Sequence, residues 1–139
     1  MIAYLDASAA LRQLLKSPGA LPRWGAWDRA VSSALLEVEA SCTFLRLRRQ
    51  GALDDEGMSR AFQALGILLE GVTVVPVTAE VLRRASQPFP VALRSLDALH
   101  MATAALWADE HPEPLTVLTH DEELDRAARA MGFRTASPV

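Results

Sequence analysis

The sequence predicts an α/β fold, a three-layer sandwich in which a central parallel sheet of four to five strands has helices on both faces. Four short β-rich runs alternate with longer segments of helical periodicity. The runs are almost continuously apolar, which is typical of parallel strands buried on both faces. The chain has 139 residues, 50% of them hydrophobic, which suits one domain over residues 1–139 with a sizeable core.

The apolar runs predict the strands, at residues 2–5, 30–32, 72–77 and 115–119. The segments between them have an apolar face and end at glycine or proline, as helices do. These predicted helices cover residues 8–16, 35–50, 55–70, 79–86, 95–109 and 122–131. Their stop signals, in the same order, are Ser17-Pro18-Gly19, Gly51, Gly71, Pro88, Pro112 and Gly132.

Composition excludes several classes of protein. The single cysteine, Cys42, excludes an intramolecular disulfide framework and a cysteine-cluster zinc site. No apolar run reaches the roughly 18 residues of a membrane span, and the first residues lack the basic region of a signal peptide. We therefore expect a soluble, cytoplasmic protein with no membrane partner. The formal charge of −3 counts at first against a nucleic-acid partner, because nucleic-acid-binding domains are usually basic.

Two aspartates, Asp6 and Asp121, each follow a predicted strand and precede a predicted helix. An Asp in this position caps the helix, and for Asp6 alone that interpretation is the simpler one. Its repetition favours function, because parallel strands end at the same edge of the sheet and ligands bind there, near a topological switch point. The sequence thus predicts both carboxylates in one cleft.

A third acid, Asp97, lies in the first turn of an otherwise apolar helix and shares a face with His100, Met101 and Ala104. A carboxylate facing a core costs free energy unless it is paired or binds a metal ion. An Asp that only complements the helix dipole would instead point to water. Function is the favoured interpretation of Asp97. For His100, one turn later, a hydrogen-bonded core residue is favoured over a contact with the site.

The fourth acid is either Glu37 or Glu39, both on the long helix over residues 35–50. The predicted buried stripe of that helix consists of Leu35, Val38, Cys42 and Leu45. Glu39 lies beside this stripe, while Glu37 groups with a more polar face. Glu39 is therefore the favoured inward acid, with Glu37 as the alternative, and Cys42 is predicted to be a small buried core residue.

A set of four converging carboxylates needs a positive partner, because like charges repel and raise the pKa of some members. Carboxylate oxygens suit Mg²⁺ or Mn²⁺, whereas zinc prefers nitrogen or sulfur. Such ions activate water for phosphodiester cleavage. The hydroxyl groups of Ser8 and Thr119, close in sequence to Asp6 and Asp121, are suited to orient a carboxylate or a water molecule.

Four segments carry these acids: YLDASA at residues 4–9, Ser33 with Glu39 six residues later, LRSLDALH at 93–100, and THD at 119–121. Together they resemble the PIN-domain ribonucleases, and most closely the VapC-type toxins of bacterial and archaeal type II toxin–antitoxin pairs. The resemblance extends from residue 2 to about residue 133, and its most specific parts are YLDASA and LRSLDALH.

The resemblance implies a metal-dependent endoribonuclease in which Asp6, Glu39, Asp97 and Asp121 are the catalytic metal-site acids and Ser8 and Thr119 support them. It implies Mg²⁺ or Mn²⁺ as cofactor and RNA cleavage by metal-activated water, with 5′-phosphate and 3′-hydroxyl products. It also implies a homodimer and a VapB-like antitoxin that blocks the cleft. Because four of the acids would then belong to a cation site, the net acidity no longer counts against RNA.

Other residues leave alternatives open. Arg94, just before the Asp97 helix, is a possible RNA-binding residue or an ordinary surface cation. Trp24 and Trp27 either anchor an interface or pack onto their own domain. Two alternative functions also remain: a non-catalytic PIN-like binding module, against which the intact acid set speaks, and a housekeeping nuclease without an antitoxin.

Overall fold

The structure is a computed structural model that describes residues 1–15 and 24–136. Five strands and six helices follow one another in these residues. In chain order they are β1 (Ile2–Leu5), α1 (Ala7–Leu14), β2 (Arg29–Ser33), α2 (Leu35–Arg49), α3 (Asp55–Glu70), β3 (Val72–Val75), α4 (Ala79–Ala85), α5 (Ser95–Glu110), β4 (Leu115–Leu118), α6 (Glu122–Ala130) and β5 (Arg134–Ala136).

The strands form one parallel sheet in the order β3-β2-β1-β4-β5. The chain builds outward from β1 to β2 and β3, and later adds β4 on the other side of β1. The boundary between β1 and β4 is therefore the switch point of the sheet, where Leu5 is in register with Leu118. Side chains that follow these two strands lie at the place where such folds bind ligands.

Alternate residues of β1 belong to separate hydrophobic clusters on the two faces of the sheet. Ile2 and Tyr4 pack with residues of α5 and α6, such as Met101 and Leu124. Ala3 and Leu5 pack on the opposite side with residues of α1 and α3. The three-layer arrangement of a parallel sheet between helices is thereby confirmed, and it holds the ends of β1 and β4 within a packed core.

The predicted elements agree with the observed ones to within one or two residues at most boundaries. One strand was missed, and one helix stop cannot be compared. β5 was not among the predicted runs, because its three residues are too short to give a pattern. The stop signal of α1, Ser17-Pro18-Gly19, lies outside the described residues.

Two expectations about burial are wrong. β3 is an edge strand with exposed or half-buried residues, so it is not covered on both faces as its apolar composition predicted. The buried row of α2 is Leu36, Ala40 and Phe44, and of the row predicted to be buried only Leu35 is half-buried while the other three residues are exposed. Val38 is 58% exposed and Leu45 55% exposed, and the Cys42 thiol is exposed rather than part of the core.

Trp24 and Trp27 pack edge to face, with ring centroids 5.0 Å apart. Both lie against the cluster that contains Leu5 and Leu118, so they pack onto their own domain. In the described part of the chain, no helix is long and apolar enough to cross a membrane.

Candidate active site

The candidate site lies where β1 and β4 end. The backbone N–H of Asp6 donates to the carbonyl of Leu118 at 3.0 Å, which extends the pairing of the two strands by one residue. Thr119 and Asp121 follow β4 at the same edge. The carboxylates that the sequence placed after separate strands are therefore neighbours in the fold.

Three donors hold one oxygen of the buried Asp6 carboxylate. The Ser8 hydroxyl donates to Asp6 Oδ2 at 2.6 Å, the Thr119 hydroxyl at 2.8 Å, and the Ser8 backbone N–H at 3.3 Å. The bond from the Ser8 backbone also makes Asp6 the N-cap of α1. Asp6 therefore caps α1 and lies in the candidate site at the same time. The hydroxyl groups of Ser8 and Thr119 contact its carboxylate, as predicted.

Asp121 likewise caps a helix. Its Oδ1 accepts hydrogen bonds from the backbone N–H groups of Glu123 at 2.8 Å and Leu124 at 3.0 Å, at the start of α6. Its own N–H donates to the Thr119 hydroxyl oxygen at 3.0 Å, so one threonine links the backbone of Asp121 to the carboxylate of Asp6. The loop after β4 is held against the loop after β1 by these bonds.

Asp97 reaches the same region from the first turn of α5, and its side chain is half-buried. Burial, followed by the negative charges of Asp121 and Asp6, raises the pKa of Asp97 to about 6. Arg94 and His100 act in the opposite direction. The three aspartates therefore lie within one electrostatic environment, as expected of carboxylates that share a site.

Glu39, and not the exposed Glu37, faces this region from α2. Its Oε1 lies 2.6 Å from Nε2 of His100, and the same nitrogen lies 3.9 Å from Asp6 Oδ1. The stripe of α2 that was predicted to be buried is wrong, but residue 39 borders both the buried row and the outward row, so Glu39 still faces this region. Its role in the reaction stays a prediction.

His100 is buried, 1% exposed, and links the acids to the core. Its Nδ1 lies 2.8 Å from the Tyr4 hydroxyl, and its Nε2 faces Glu39. Burial lowers the pKa of His100, but the hydrogen bond with Glu39 and the charges of Asp6, Glu39 and Asp97 outweigh it and raise the pKa. His100 is buried and hydrogen-bonded as predicted, and it also contacts Glu39, which is the alternative that its one-turn spacing from Asp97 had suggested.

Arg94 stands exposed at the N-cap of α5. Together with Ala92, Leu93 and Glu123 it lines an open cavity of about 420 Å³. Its positive charge lowers the pKa of Asp97, so the guanidinium and the carboxylates influence one another. A cation placed beside an acidic cleft is suited to bind a phosphate group.

The donor chemistry of this site suits a hard divalent cation, since all four candidate ligands are carboxylates and, after burial, the charges of Asp121 and Asp6 contribute to the raised pKa of Asp97. Over residues 1–15 and 24–136, no group of three or more His, Cys, Asp or Glu side chains stands close enough to hold one ion at the same time. The residue types therefore fit Mg²⁺ or Mn²⁺, and ligation by three of them would require side-chain rotation.

Sequence comparison matches residues 3–130 to the PIN domain family. Ribonuclease VapC47 of Mycobacterium tuberculosis (strain CDC 1551 / Oshkosh) is 33% identical over 142 residues, which are 97% of this chain and 96% of the relative. This match and the family model confirm the resemblance on which the sequence interpretation depends.

Structure comparison agrees. VapBC2 from Rickettsia felis, bound to a promoter DNA fragment, has a TM-score of 0.66 at 13% identity and covers 99% of this chain and 98% of its own. VapBC-5 from Mycobacterium tuberculosis, a member of the VapBC family of toxin–antitoxin systems, has a TM-score of 0.63 at 17% identity, with 98% and 96% coverage. At these identities the likeness confirms the fold.

Proposed function

The chain belongs to the PIN-domain family, among its VapC-type ribonucleases, and on that premise we propose that it is a Mg²⁺- or Mn²⁺-dependent endoribonuclease toxin. Its substrate is RNA, and its catalytic acids are Asp6, Glu39, Asp97 and Asp121. The observation that carries this proposal is the meeting of acids from separate elements: the Thr119 hydroxyl joins the Asp6 carboxylate to the Asp121 backbone, and His100 Nε2 lies 2.6 Å from Glu39 Oε1 and 3.9 Å from Asp6 Oδ1. Mutual repulsion among acids from three elements is what a bound cation would relieve.

Each residue has a role in this proposal. Asp6, Glu39, Asp97 and Asp121 would hold the cation, which when bound supplies Lewis acidity for attack of water on a phosphodiester. Ser8 and Thr119 donate to Asp6 Oδ2 and keep that carboxylate in one orientation. Arg94, at the rim, binds an RNA phosphate.

Cleavage of RNA tests the catalytic proposal. Purified protein is incubated with total RNA and Mg²⁺, with EDTA as the metal-free control, and the 5′ ends of the products are mapped. We expect the wild type to cut and Asp6→Asn and Asp97→Asn to be inactive while remaining folded. Asp109→Asn, an exposed acid near the end of the same helix as Asp97, is the matched control and should cut normally. Equal cutting by the Asn variants, or no cutting by the wild type, would contradict the proposal.

The identity of the helix acid has its own matched pair. Glu39→Gln and Glu37→Gln make the same chemical change two residues apart on α2. Glu39 faces the other acids through His100, whereas Glu37 is exposed. We expect only Glu39→Gln to reduce cleavage. Loss of activity in Glu37→Gln alone would instead assign Glu37 to the site.

A small VapB-like antitoxin is the proposed partner, and the VapBC structures support it because they are toxin–antitoxin systems of the same fold. The test is to express this chain with and without the product of the adjacent short reading frame. Growth arrest that the neighbouring product relieves, together with co-purification, is the expected result. Growth arrest relieved by no neighbouring gene product would favour a housekeeping nuclease.

A homodimer is proposed from apolar side chains that the single chain leaves uncovered on α3. Ile67 is 71% exposed and Phe62 37% exposed, so both side chains have apolar surface that a second copy of the chain would cover. Light scattering during gel filtration should give twice the mass of 15.1 kDa for the wild type. Ile67→Glu should give the monomer mass, with Glu56→Gln, an exposed site on the same helix, as the control. A wild type that elutes as a monomer at all concentrations would contradict the proposal.

A further inference from the structure

A chain of hydrogen bonds crosses the core from β1 to α2. The Tyr4 hydroxyl lies 2.8 Å from His100 Nδ1, and His100 Nε2 lies 2.6 Å from Glu39 Oε1. The rings of Tyr4 and His100 meet edge to face at 5.8 Å. Tyr4 and His100 are almost completely buried, while Glu39 is partly accessible. The chain therefore runs from the core to the candidate site, and only its last member can reach a substrate or an ion.

The chemistry of the two groups decides which one donates in the hydrogen bond between His100 and Glu39. An ionised carboxylate only accepts hydrogen bonds, so His100 Nε2 carries the proton and donates to Glu39. The opposite nitrogen faces the hydroxyl of Tyr4, which is able to donate or accept. Tyr4 stays a neutral phenol, because burial and the charge of Asp6 raise its pKa well above the usual value. With the proton on Nε2, Nδ1 either accepts from the Tyr4 hydroxyl in the neutral ring or donates to it in the imidazolium, and in both cases Glu39 receives a proton donor whose position the core determines.

Glu39 needs such a donor. Glutamate has three rotatable side-chain bonds, and the adjacent Val38 and Glu37 are exposed, so a carboxylate at this place on α2 has access to solvent. The imidazole instead draws it toward Asp6, whose Oδ1 lies 3.9 Å from the same Nε2. At 1% exposure His100 cannot touch RNA, so it acts through Glu39.

We propose that His100 is a positioning residue that holds the Glu39 carboxylate in the acidic site by donating from Nε2, with Tyr4 fixing the imidazole ring. This inference rests on the proposed metal-dependent cleavage, and it adds a residue outside the four-carboxylate set. Polar groups that orient a ligand typically change metal affinity or activity by about 10–100-fold when removed.

Two amide substitutions test the contacts of the two imidazole nitrogens of His100 separately. The amide of His100→Gln is long enough to donate to Glu39, whereas that of His100→Asn is shorter and reaches only toward Tyr4. Both side chains are neutral and polar, so we expect the two substitutions to have similar effects on the stability of the buried core. Thr103 and the Ser33 backbone both act to lower the pKa of Tyr4, so polar groups remain beside its hydroxyl in either variant.

The readouts are RNA cleavage, Mn²⁺ affinity measured by electron paramagnetic resonance, and the urea midpoint as a check of folding. We expect His100→Asn to lose about 10–100-fold in both cleavage and Mn²⁺ affinity. His100→Gln should remain within about 3-fold of the wild type in both. In a Glu39→Gln background, His100→Asn should cause no further loss, because the residue it positions is already neutralised. Equal behaviour of the Asn and Gln variants, or additive losses in the Glu39→Gln background, would overturn the proposal.

A spectroscopic measurement keeps the test decisive if both variants unfold. The ¹⁵N resonance of His100 Nε2 should shift on Glu39→Gln and stay unchanged on Glu37→Gln; equal shifts, or none, would overturn the inference. A wild type that binds Mn²⁺ and cleaves no RNA would remove the proposed nuclease function alone, since the Mn²⁺ affinities of the variants would still decide the role of His100. A wild type that binds no Mn²⁺ would overturn the inference itself.

Discussion

Thr119 Oγ1 donates a 2.8 Å hydrogen bond to Asp6 Oδ2 and accepts one of 3.0 Å from the N–H of Asp121. The first of these bonds joins Thr119 to a residue 113 positions away in the sequence, and it does so at the boundary between β1 and β4. The geometry of the acidic site consequently depends on a neutral side chain that carries no charge of its own.

Thr119→Val should impair this connection without changing side-chain volume. Asp6 Oδ2 loses one of its donors and the Asp121 N–H loses its acceptor, so we expect a loss of about 1–3 kcal/mol in the free energy of unfolding. Cleavage of RNA should fall by about 10–100-fold. Thr119→Ser keeps the hydroxyl and should retain most activity. Urea unfolding and an RNA cleavage assay measure both effects, and a fully active Thr119→Val would contradict this role of the hydroxyl.

The raised pKa of Asp97 predicts how stability depends on pH in EDTA. The folded protein holds this proton up to about pH 6, whereas the ordinary value is 3.8, so protonated Asp97 favours the folded state at low pH. That contribution is lost as the pH rises through the folded-state pKa. Asp97→Asn, which resembles the protonated acid, should match the wild type near about pH 4 and exceed it in stability near about pH 7.

Urea unfolding over this pH range measures the difference, with Asp109→Asn as the exposed control that should follow the wild type throughout. Added Mg²⁺ should stabilise the wild type more at neutral than at acidic pH, because an ionised carboxylate binds the ion. Parallel curves for the wild type and Asp97→Asn would refute the assignment of the shift to Asp97.

Arg94→Gln should weaken RNA binding in a way that depends on salt. Each phosphate contact made by a cation contributes about 0.7 to the slope of log affinity against log salt for a single strand. Fluorescence anisotropy with a labelled RNA, in an inactive Asp6→Asn background, should therefore give a slope smaller by about that amount. Arg94→Lys keeps the charge and should keep the slope. An unchanged slope in Arg94→Gln would show Arg94 to be an ordinary surface residue.

The two apolar rows of α2 should differ in their effect on stability. Leu36 is completely buried, so Leu36→Ala should cost about 2–5 kcal/mol in the free energy of unfolding. Leu45 is 55% exposed, so Leu45→Ala should stay within about 0.5 kcal/mol of the wild type. Urea denaturation of the isolated chain compares them. A large loss of stability in Leu45→Ala would contradict this expectation and would show that a second copy of the chain covers the outer row.

The sequence alone sufficed to predict most elements and the positions of Asp6 and Asp121 between a strand and a helix, because their signals are local. A strand that runs into Asp6 or Asp121, followed by a helix, specifies both the strand end and the cap. Parallel pairing then brings such ends to one edge of the sheet. The glycine and proline stops placed most helix ends within two residues for the same reason, since each acts on its own stretch of backbone.

The phase of α2 could not be predicted, because this helix has apolar residues on two rows. The outward row with Val38 and Leu45 and the inward row with Leu36 and Phe44 both repeat at helical spacing. Periodicity indicates that a helix is amphipathic, but it does not select one of two apolar faces. Packing against α3 and the sheet buries the row with Leu36 and Phe44, and this orientation of the helix leaves Cys42 exposed.

By itself, the sequence determined the order of strands and helices and the acids at their ends, which depend on nearest neighbours along the chain. The tertiary structure decided which side chains far apart in the sequence are in contact. His100 contacts Glu39 from 61 residues away and Tyr4 from 96 residues away. No local pattern encodes such contacts, because they exist only once α2, α5 and β1 pack against one another.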